Sequence, residues 1–389
     1  MKLKYYLFFT FIAWNCLHAA TFTVTNTKDS GKGSLRQAII DNNATPGLNN
    51  IVFDISGNGP FRIHPRKELD AITNPLAIDG SLVIEINGKG IGDGRKSGFG
   101  MKLMEGSDGS TISGLVLNDW SIAGLLLEAS SNHVVQGNYI GTDITGLKPQ
   151  GNGAAGLLIM AASGNQVINN IISGNQRHGI KISRSSGNII QGNLIGLSAK
   201  RKRLSNMGSG IKIVASFNNL IGGTDTSAGN EIAFNEINGV EIGENIIDFD
   251  AQHNGILCNS IYANKVYGIN FHIDTIHHTL GPNNLQAMPQ LDSAKTSHGT
   301  TTIKGSLCSL DDQIFEIQFF STPSPVLGQG KTYLGNVTVK SDAYGFGTFT
   351  FTTDDVGREA FITATSTQLD VLETSQFSRP RLAERKAKE

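Results

Sequence analysis

An all-β solenoid, a right-handed parallel β-helix, is predicted by a repeated glycine phrase, alternating apolar residues within it, and asparagines at fixed offsets from it. The phrase consists of a glycine and a short strand-like run, and it begins at Gly124, Gly156, Gly179, Gly210, Gly239 and Gly268. The intervals between these glycines are 32, 23, 31, 29 and 29 residues. Self-similarity at such a period indicates stacked coils with one supersecondary unit per repeat.

Alternation within each phrase predicts strands rather than helices. Ile180 and Ile182 flank Lys181, and Ile211 and Ile213 flank Lys212. A period of two places the isoleucines on an inner face and the lysines on an outer face. Each phrase is therefore predicted to be a half-buried β-strand.

Two asparagine columns support the stacking. The first lies four residues before the glycine and consists of Asn152, Asn175, Asn206, Asn235 and Asn264; the second consists of Asn138, Asn170, Asn193, Asn230 and Asn259. Asparagine suits repeated bends, and identical amides can pair between coils about 4.8 Å apart. We assign a structural role to the first column and to the repeat glycines Gly156, Gly179, Gly210, Gly239 and Gly268.

Residues 1–20 are predicted to be a signal peptide. Lys2 and Lys4 precede an apolar run over residues 7–17, and a small residue, Ala19, follows. The run is too short for an ordinary membrane span, so we expect no transmembrane segment and a secreted, cell-surface or periplasmic location. The formal net charge of −1 predicts no general affinity for nucleic acid.

Beyond that segment the chain has two cysteines, Cys258 and Cys308. They allow one internal disulfide, and the sequence leaves open whether they pair. Cys258 lies in an apolar stretch and is predicted to be a buried small residue.

The start of the mature chain predicts a cap for the solenoid. An alternating strand from Thr21 is followed by a turn, and Ser34 can cap a short helix over residues 35–43. A further strand begins at Ile51. A helix before the first coil would cover an otherwise exposed core.

The phrases that carry a resemblance are Phe22-Thr-Val-Thr-Asn-Thr, Asp29-Ser-Gly-Lys-Gly-Ser-Leu-Arg-Gln-Ala-Ile and Asn138-Tyr-Ile-Gly-Thr-Asp-Ile-Thr-Gly. They resemble secreted bacterial right-handed parallel β-helix repeat proteins of the pectin-lyase-like fold, over residues 21–285. The resemblance implies the fold and the N-terminal cap. It leaves activity open, because the family includes hydrolases, lyases and adhesin-like surface proteins.

A second domain is predicted over residues 286–378. Five strand-like segments cover residues 300–307, 314–321, 331–340, 347–352 and 360–366. Short strands separated by Gly, Asp, Asn and Pro turns are typical of a β-sandwich. The segment resembles the immunoglobulin-like module that often follows β-helices in this family. Residues 379–389 form a charged tail.

The outward positions of two coils suggest a basic site. It comprises Arg177, His178, Lys181, Arg184 and Lys212, and an insertion over residues 200–203 adds further lysines and arginines. Arginine binds carboxylate or sulfate in a bidentate manner and lysine acts as a point charge, so the predicted partner is an acidic polysaccharide or a surface glycan. The alternative is a solvated surface on which Lys212 pairs with Glu241 of the next coil.

Enzymatic alternatives are less well supported. Elimination from a uronate needs a base and a cation at the carboxylate, for which Lys181 or Arg184 and Arg177 are candidates. Hydrolysis needs two carboxylates, but Asp119 and Asp143 fit turns better. The acidic group Glu241, Glu244, Asp248 and Asp250, with His253 nearby, lacks the pattern of a calcium loop. We assign no catalytic residue, metal or cofactor.

The predicted function is that of an exported or surface-associated, non-catalytic β-helix protein that binds polysaccharide or another extended ligand, as an adhesin does. The alternatives are a polysaccharide lyase or glycoside hydrolase acting on an acidic glycan, and a structural spacer. The oligomeric state is left open.

Overall fold

The computed structural model describes residues 19–92, 97–244, 250–271, 281–323, 325 and 328–385. The predicted signal peptide lies almost entirely outside this part. The strands form three parallel stacks followed by two smaller, mostly antiparallel sheets. The prediction of an all-β chain built on a β-helix solenoid is confirmed.

The N-terminal region contains six strands and the α-helix. In chain order these are β1 (Thr21–Val24), α1 (Leu35–Ala44), β2 (Asn49–Phe53), β3 (Phe61–Ile63), β4 (Leu76–Asn87), β5 (Phe99–Leu103) and β6 (Thr111–Asn118). The central coils contribute β7 (Ala123–Glu128), β8 (Val134–Gln136), β9 (Tyr139–Ile140), β10 (Ala155–Met160), β11 (Gln166–Ile168), β12 (Ile171–Ile172), β13 (His178–Ser183), β14 (Ile189–Gln191), β15 (Leu194–Ile195), β16 (Ile211–Val214), β17 (Leu220–Gly222), β18 (Glu231–Ala233), β19 (Val240–Ile242), β20 (Gly255–Leu257), β21 (Ser260–Tyr262) and β22 (Ile269–Phe271). Short 3₁₀ turns cover Thr226–Ala228 and Pro282–Leu285. The C-terminal region contributes β23 (Gln290–Ser297), β24 (Thr300–Cys308), β25 (Ile314–Thr322), β26 (Thr332–Lys340), β27 (Phe346–Asp354), β28 (Phe361–Gln368), β29 (Glu373–Thr374), β30 (Arg381–Leu382) and β31 (Glu384–Arg385).

One stack, which we call the glycine sheet, contains the glycine phrases. Its spatial order is β5, β7, β10, β13, β16, β19 and β22, all parallel and in register. The other two stacks are β8–β11–β14–β17–β20 and β9–β12–β15–β18–β21, which join through β6. This register places Lys181 beside Lys212, and Lys212 beside Glu241.

The repeat glycines are required by close packing inside the coils. A Cβ atom on Gly210 would lie 2.7 Å from Ile232 Cγ2 and 2.8 Å from Asn235 Nδ2. A Cβ atom on Gly156 would meet the equivalent atoms of Ile172 and Asn175 at 2.7 and 2.8 Å. Real Cβ contacts are not this short, so any side chain at these positions would force the strand away from the asparagine column.

The asparagine columns are hydrogen-bonded ladders. In the first column, the side-chain oxygen of Asn175 accepts the backbone amide of Asn152 at 3.1 Å, and Asn206 does the same for Asn175 at 3.1 Å. The side-chain amide of each donates to the oxygen of the next, at 3.0 and 2.9 Å. Trp120 starts the ladder, because its backbone amide donates to Asn152. The buried turns therefore keep their polar groups paired without water.

A third ladder was not predicted from the sequence. It runs through the turn after the glycine sheet and consists of Asn165, Asn188, Asn219, Asn254 and Asn283. Its members are separated by 23, 31, 35 and 29 residues. The first two intervals equal those between Gly156, Gly179 and Gly210. This shared spacing is the feature of the sequence from which the third ladder could have been predicted.

Helix α1 lies beside the first strands. Ser34 accepts a hydrogen bond from the Gln37 amide, and Leu35 and Ile39 are fully buried in the core that continues through the coils. Arg36 is also buried, with 5% exposure. Its guanidinium donates to Asp29, Asp70 and three backbone carbonyls, which uses all five N–H groups.

Arg36 is expected to be a major stabiliser of this end. Arg36→Met would leave three backbone carbonyls without their donor and Asp29 without its buried cation, and should lower the free energy of unfolding by about 3 kcal/mol. Urea denaturation of the purified protein measures the loss. Arg358→Met makes the same change at an exposed position of the C-terminal region; it is the control and should change the free energy of unfolding by less than about 0.5 kcal/mol. Equal effects would contradict the role given to Arg36.

The C-terminal region forms two sheets around its own core. One has the order β27–β24–β23–β31, and the other has β26–β25–β28–β29 with β30 beside β28. Phe315, Ile317 and Phe319 are fully buried in a cluster separate from the coils. The five predicted strands are present, each shifted at its ends by one or two residues, and β23 is additional. Strands β30 and β31 place part of the charged tail in the two sheets.

The two sheets contact the last coils through hydrogen bonds that extend the ladders. Gln329 accepts the backbone amide of Asn264 at 2.9 Å and donates to the Asn264 carbonyl at 2.9 Å. Ile261 and Gly330 exchange backbone hydrogen bonds of 2.7 and 2.8 Å. Phe320 and Phe377 pack into the same core as the coils. The end of the solenoid is thus covered by the C-terminal region.

Both described cysteines are free thiols. Cys258 is buried and Cys308 is exposed, so the allowed disulfide is not formed. No helix in the described ranges is both long and apolar enough to cross a membrane.

Candidate functional site

The outer side of the glycine sheet changes character along its length. At the outward position two residues after the repeat glycine, β7 and β10 carry Leu126 and Leu158, which belong to a small cluster outside the main core. The same position is polar in the later coils, where it holds Lys181, Lys212, Glu241 and Asn270. We call the set His178, Lys181, Ser209, Lys212 and Glu241 the polar face.

Lys212 and Glu241 form an internal ion pair of the polar face. The ammonium of Lys212 lies 3.1 Å from Glu241 Oε1, and the two side chains are 11% and 6% exposed. Ser209 Oγ donates to the other carboxylate oxygen. Burial raises the pKa of Glu241, but the Ser209 hydrogen bond and the Lys212 charge outweigh it and leave the pKa below its ordinary value. Lys212 therefore has little capacity left for an external ligand.

His178 is buried and its ring is oriented by the next coil. The backbone amide of Ser209 donates to Nδ1 at 3.2 Å, which assigns the proton of the neutral ring to Nε2. Burial and the charge of Lys212 lower the pKa of His178 to about 4, although Glu241 acts in the opposite direction. At neutral pH the ring is thus an uncharged donor rather than a cation.

The buried imidazole predicts a loss of stability in acid. Between the unfolded pKa of 6.5 and the folded value of about 4, the unfolded chain binds the extra proton, so stability is complete above pH 6.5 and decreases as the pH falls toward 4. From pH 7 to 4.5 the His178 contribution should fall by about 2.4 kcal/mol. Urea denaturation at both pH values measures it.

His178→Gln should remove the share of this pH-dependent loss of unfolding free energy that is assigned to His178. His133, also with a pKa of about 4, leaves a similar decrease in place. An unchanged pH dependence in His178→Gln would contradict the assignment.

Lys181 and Arg177 are the accessible cations of this area. The side chain of Lys181 is 30% exposed, and its ammonium lies 3.7 Å from Glu244, whose side chain is 52% exposed. Arg177 is exposed immediately before β13. The charges of Arg177 and Lys181 both act on His178. Lys181 lies beside Lys212 of the next strand, and Glu244 lies 3.7 and 4.0 Å from the two ammonium groups.

Arg184, the remaining cation of this coil in the predicted site, lies just after the end of β13. The alternation of β13 ends at Ser183, and Arg184 has a left-handed backbone with φ of 50° at the corner of the coil. It lines a separate cavity together with Phe217 and His253.

The insertion over residues 200–203 is a surface hairpin whose arginines are paired. Arg201 contacts Glu231, and Arg203 lies 2.5 Å from Glu236. The Ala199 amide donates to the Gly146 carbonyl, so this insertion stacks on the earlier one around Asp143. It follows β15 and contacts β18 through Glu231, and these strands belong to a different stack from the polar face.

The isolated carboxylates accept hydrogen bonds from neighbouring residues and thereby hold turns in place. Asp143 accepts the amides of Leu147 and Lys148 within its own turn, and Asp119 accepts the side-chain amide of Asn87. Of the acidic group, Glu241 and Glu244 lie near the lysines, Asp250 and His253 lie at the corner cavity, and Asp248 is outside the described residues. Within the described ranges, no three His, Cys, Asp or Glu residues are grouped for a metal ion.

Residues 99–284 match the family model "Right handed beta helix region". The matched segment begins with β5, ends within the turn at Pro282–Leu285 and contains the whole polar face. No curated protein matches the sequence.

The following three are among the solved structures to which the chain is similar. A mutant of the periplasmic alginate epimerase AlgG is 14% identical, with 66% of this chain and 55% of that chain covered and a TM-score of 0.41. The mannuronan C-5 epimerase AlgE4 A-module of Azotobacter vinelandii is 12% identical (64% and 90% covered, TM-score 0.34). The enzymatically active domain of tailspike protein 2 of bacteriophage CBA120 is 12% identical (92% and 64% covered, TM-score 0.30). The chain spans about half the length of the first of these, and the likeness concerns the fold alone.

Proposed function

We propose that this protein is exported and that its β-helix binds an acidic polysaccharide on the polar face without transforming it. The supporting observation is the arrangement at the start of β13, where the exposed Arg177 and the half-buried Lys181 lie on either side of the neutral, buried His178 in the sequence. The two cations are suited to carboxylate or sulfate oxygens. The Lys212–Glu241 pair beneath them neutralises itself and holds the two strands in position.

The chemistry of the three residues favours binding over catalysis. Neutral His178 carries its proton on Nε2, because Nδ1 accepts the Ser209 amide. The ring thus offers no free lone pair to the outside and is a donor rather than a base. A lyase or hydrolase remains the alternative. Incubation with polygalacturonate, alginate and a glycosaminoglycan distinguishes them, and neither unsaturated products nor new reducing ends are expected.

A double variant tests the binding site. Arg177→Ala/Lys181→Ala should weaken binding of polygalacturonate or a sulfated glycosaminoglycan at least tenfold, because it removes both accessible cations. Lys295→Ala/Lys304→Ala removes the same charge from exposed positions of the C-terminal sheets and should bind as the wild type does. Titration at 150 mM salt limits non-specific attraction. Equal binding by both double variants, or binding of no acidic polymer, would overturn the proposal.

We also propose that helix α1 caps the N-terminal end, that residues 286–378 form an immunoglobulin-like β-sandwich, and that residues 1–20 are removed on export. The apolar run after Lys4 supports the last point. Sequencing the N-terminus of the exported protein should give a start near residue 21.

A further inference from the structure

A cleft at the corner of three successive coils is separate from the polar face. We call it the corner cleft, and its residues are Arg184, Phe217, Asn218, Asp250, Gln252 and His253. They line a cavity of about 520 Å³. A neighbouring cavity of about 290 Å³ shares Asn218 and His253 and extends to Asp370 and Leu372 of the C-terminal region. Binding sites are frequently found where two structural units meet in this way.

The backbone around the corner cleft is fixed by the solenoid. Arg184, Asn218 and His253 all have left-handed backbones, with φ of 50°, 56° and 55°. The Asn218 amide donates to the Gln252 carbonyl at 3.2 Å, and the His253 amide donates to Glu373 at 3.2 Å. Successive corners thus hold one another in place, and a ligand would meet a preformed backbone.

Phe217 is the apolar element of the corner cleft. Its ring is 48% exposed although it sits among polar side chains. An aromatic ring buries a large area when a flat apolar surface packs on it. The C–H face of a pyranose is such a surface, and the hydroxyl groups at its edge can both donate and accept hydrogen bonds.

The polar residues around Phe217 match hydroxyl groups better than charges. Asp250 offers acceptors, Asn218 and Gln252 offer both donors and acceptors, and Arg184 offers donors. The corner cleft contains the carboxylate of Asp250 as well as the guanidinium of Arg184, and the neighbouring cavity adds the carboxylate of Asp370. The area therefore has no excess positive charge with which to attract a uronate or a sulfate. This distinguishes it from the polar face.

We propose that the corner cleft binds a neutral hexose residue of a glycan chain, stacked on Phe217. The site is independent of the acidic-polymer site on the polar face. A protein with both sites would contact two chemically different glycans, or two parts of one heteropolymer.

Calorimetric titration of the full-length protein with cellohexaose, maltohexaose, mannohexaose and β-1,4-galactohexaose tests the proposal. At least one hexamer should bind, and Phe217→Ala should weaken that binding at least tenfold. Tyr344→Ala, which removes a ring that is 90% exposed on the C-terminal sheets, is the control and should leave binding unchanged. Thermal unfolding checks that Phe217→Ala is folded, and Gln252→Ala gives a second, polar test with a weaker effect in the same direction.

The two glycan sites are distinguished in the same titrations. Phe217→Ala should keep the wild-type affinity for polygalacturonate, and Arg177→Ala/Lys181→Ala should keep the affinity for the neutral hexamer. Binding of none of the four hexamers would overturn the proposal. Equal binding by wild type and Phe217→Ala, or loss of hexamer binding in the polar-face variant, would also overturn it.

Discussion

Asn175→Leu is expected to lower the free energy of unfolding by about 3–5 kcal/mol. Asn175 is fully buried, and its side-chain oxygen accepts both the backbone amide and the side-chain amide of Asn152, at 3.1 and 3.0 Å. Leucine has a similar size but no acceptor, so two buried donors would lose their partner. Each unpaired buried donor costs about 1–3 kcal/mol.

Denaturation by guanidinium, followed by circular dichroism, measures this loss. Asn270→Leu makes the same change on the glycine sheet, at a half-buried outward position beside Glu241. It should cost less than about 1 kcal/mol. Similar losses in the two variants would mean that the ladder contributes no more than ordinary strand residues do.

A protein that ends at Leu285 is expected to aggregate. Removal of the C-terminal sheets would expose the core at Phe271 and leave the last strands as open edges, and such edges pair readily with other molecules. It would also leave the Asn264 amide without Gln329. Size-exclusion chromatography should find the truncated protein in the void volume. A monomer that unfolds cooperatively at the wild-type midpoint would contradict the covering role of the C-terminal region.

A point substitution isolates the ladder contribution at this end. Gln329 is 6% exposed and exchanges hydrogen bonds with the backbone of Asn264. Gln329→Ala should lower the free energy of unfolding by about 2–4 kcal/mol, because it leaves a buried amide and a buried carbonyl unpaired. Gln290→Ala, at an exposed position, is the matched control and should cost less than about 0.5 kcal/mol.

The solenoid could be predicted because the same contact is repeated in every coil. Gly210 must be glycine for the same reason as Gly156, since each packs against an isoleucine and a ladder amide. Because each coil makes the same packing contact, each coil has the same residue at that position, and the regular spacing is visible even when loops of different length intervene. The third ladder could have been predicted from its spacing in the same way.

Features that occur once were harder to predict. Gln329 lies 65 residues after Asn264, and no spacing connects them. Arg184 was assigned to the basic site because it belongs to the same coil as Lys181, but β13 ends at Ser183 and Arg184 lies at a left-handed corner. Lys212 has an outward position and is nevertheless buried, because Ser209 and Glu241 surround it. Sequence pattern thus located the polar face, and side-chain packing decided which of its residues are accessible.

The ladders also make the length of this protein adjustable. In the three ladders, each backbone amide donates to the side-chain oxygen of the following coil, so a coil presents the same groups to its predecessor whatever its place in the stack. Duplication of residues 179–209, a segment of 31 residues, would supply one more coil that fits between its neighbours. The molecule would grow by about 4.8 Å with both ends unchanged. Each tandem duplication of such a short gene segment would therefore lengthen the solenoid by one coil.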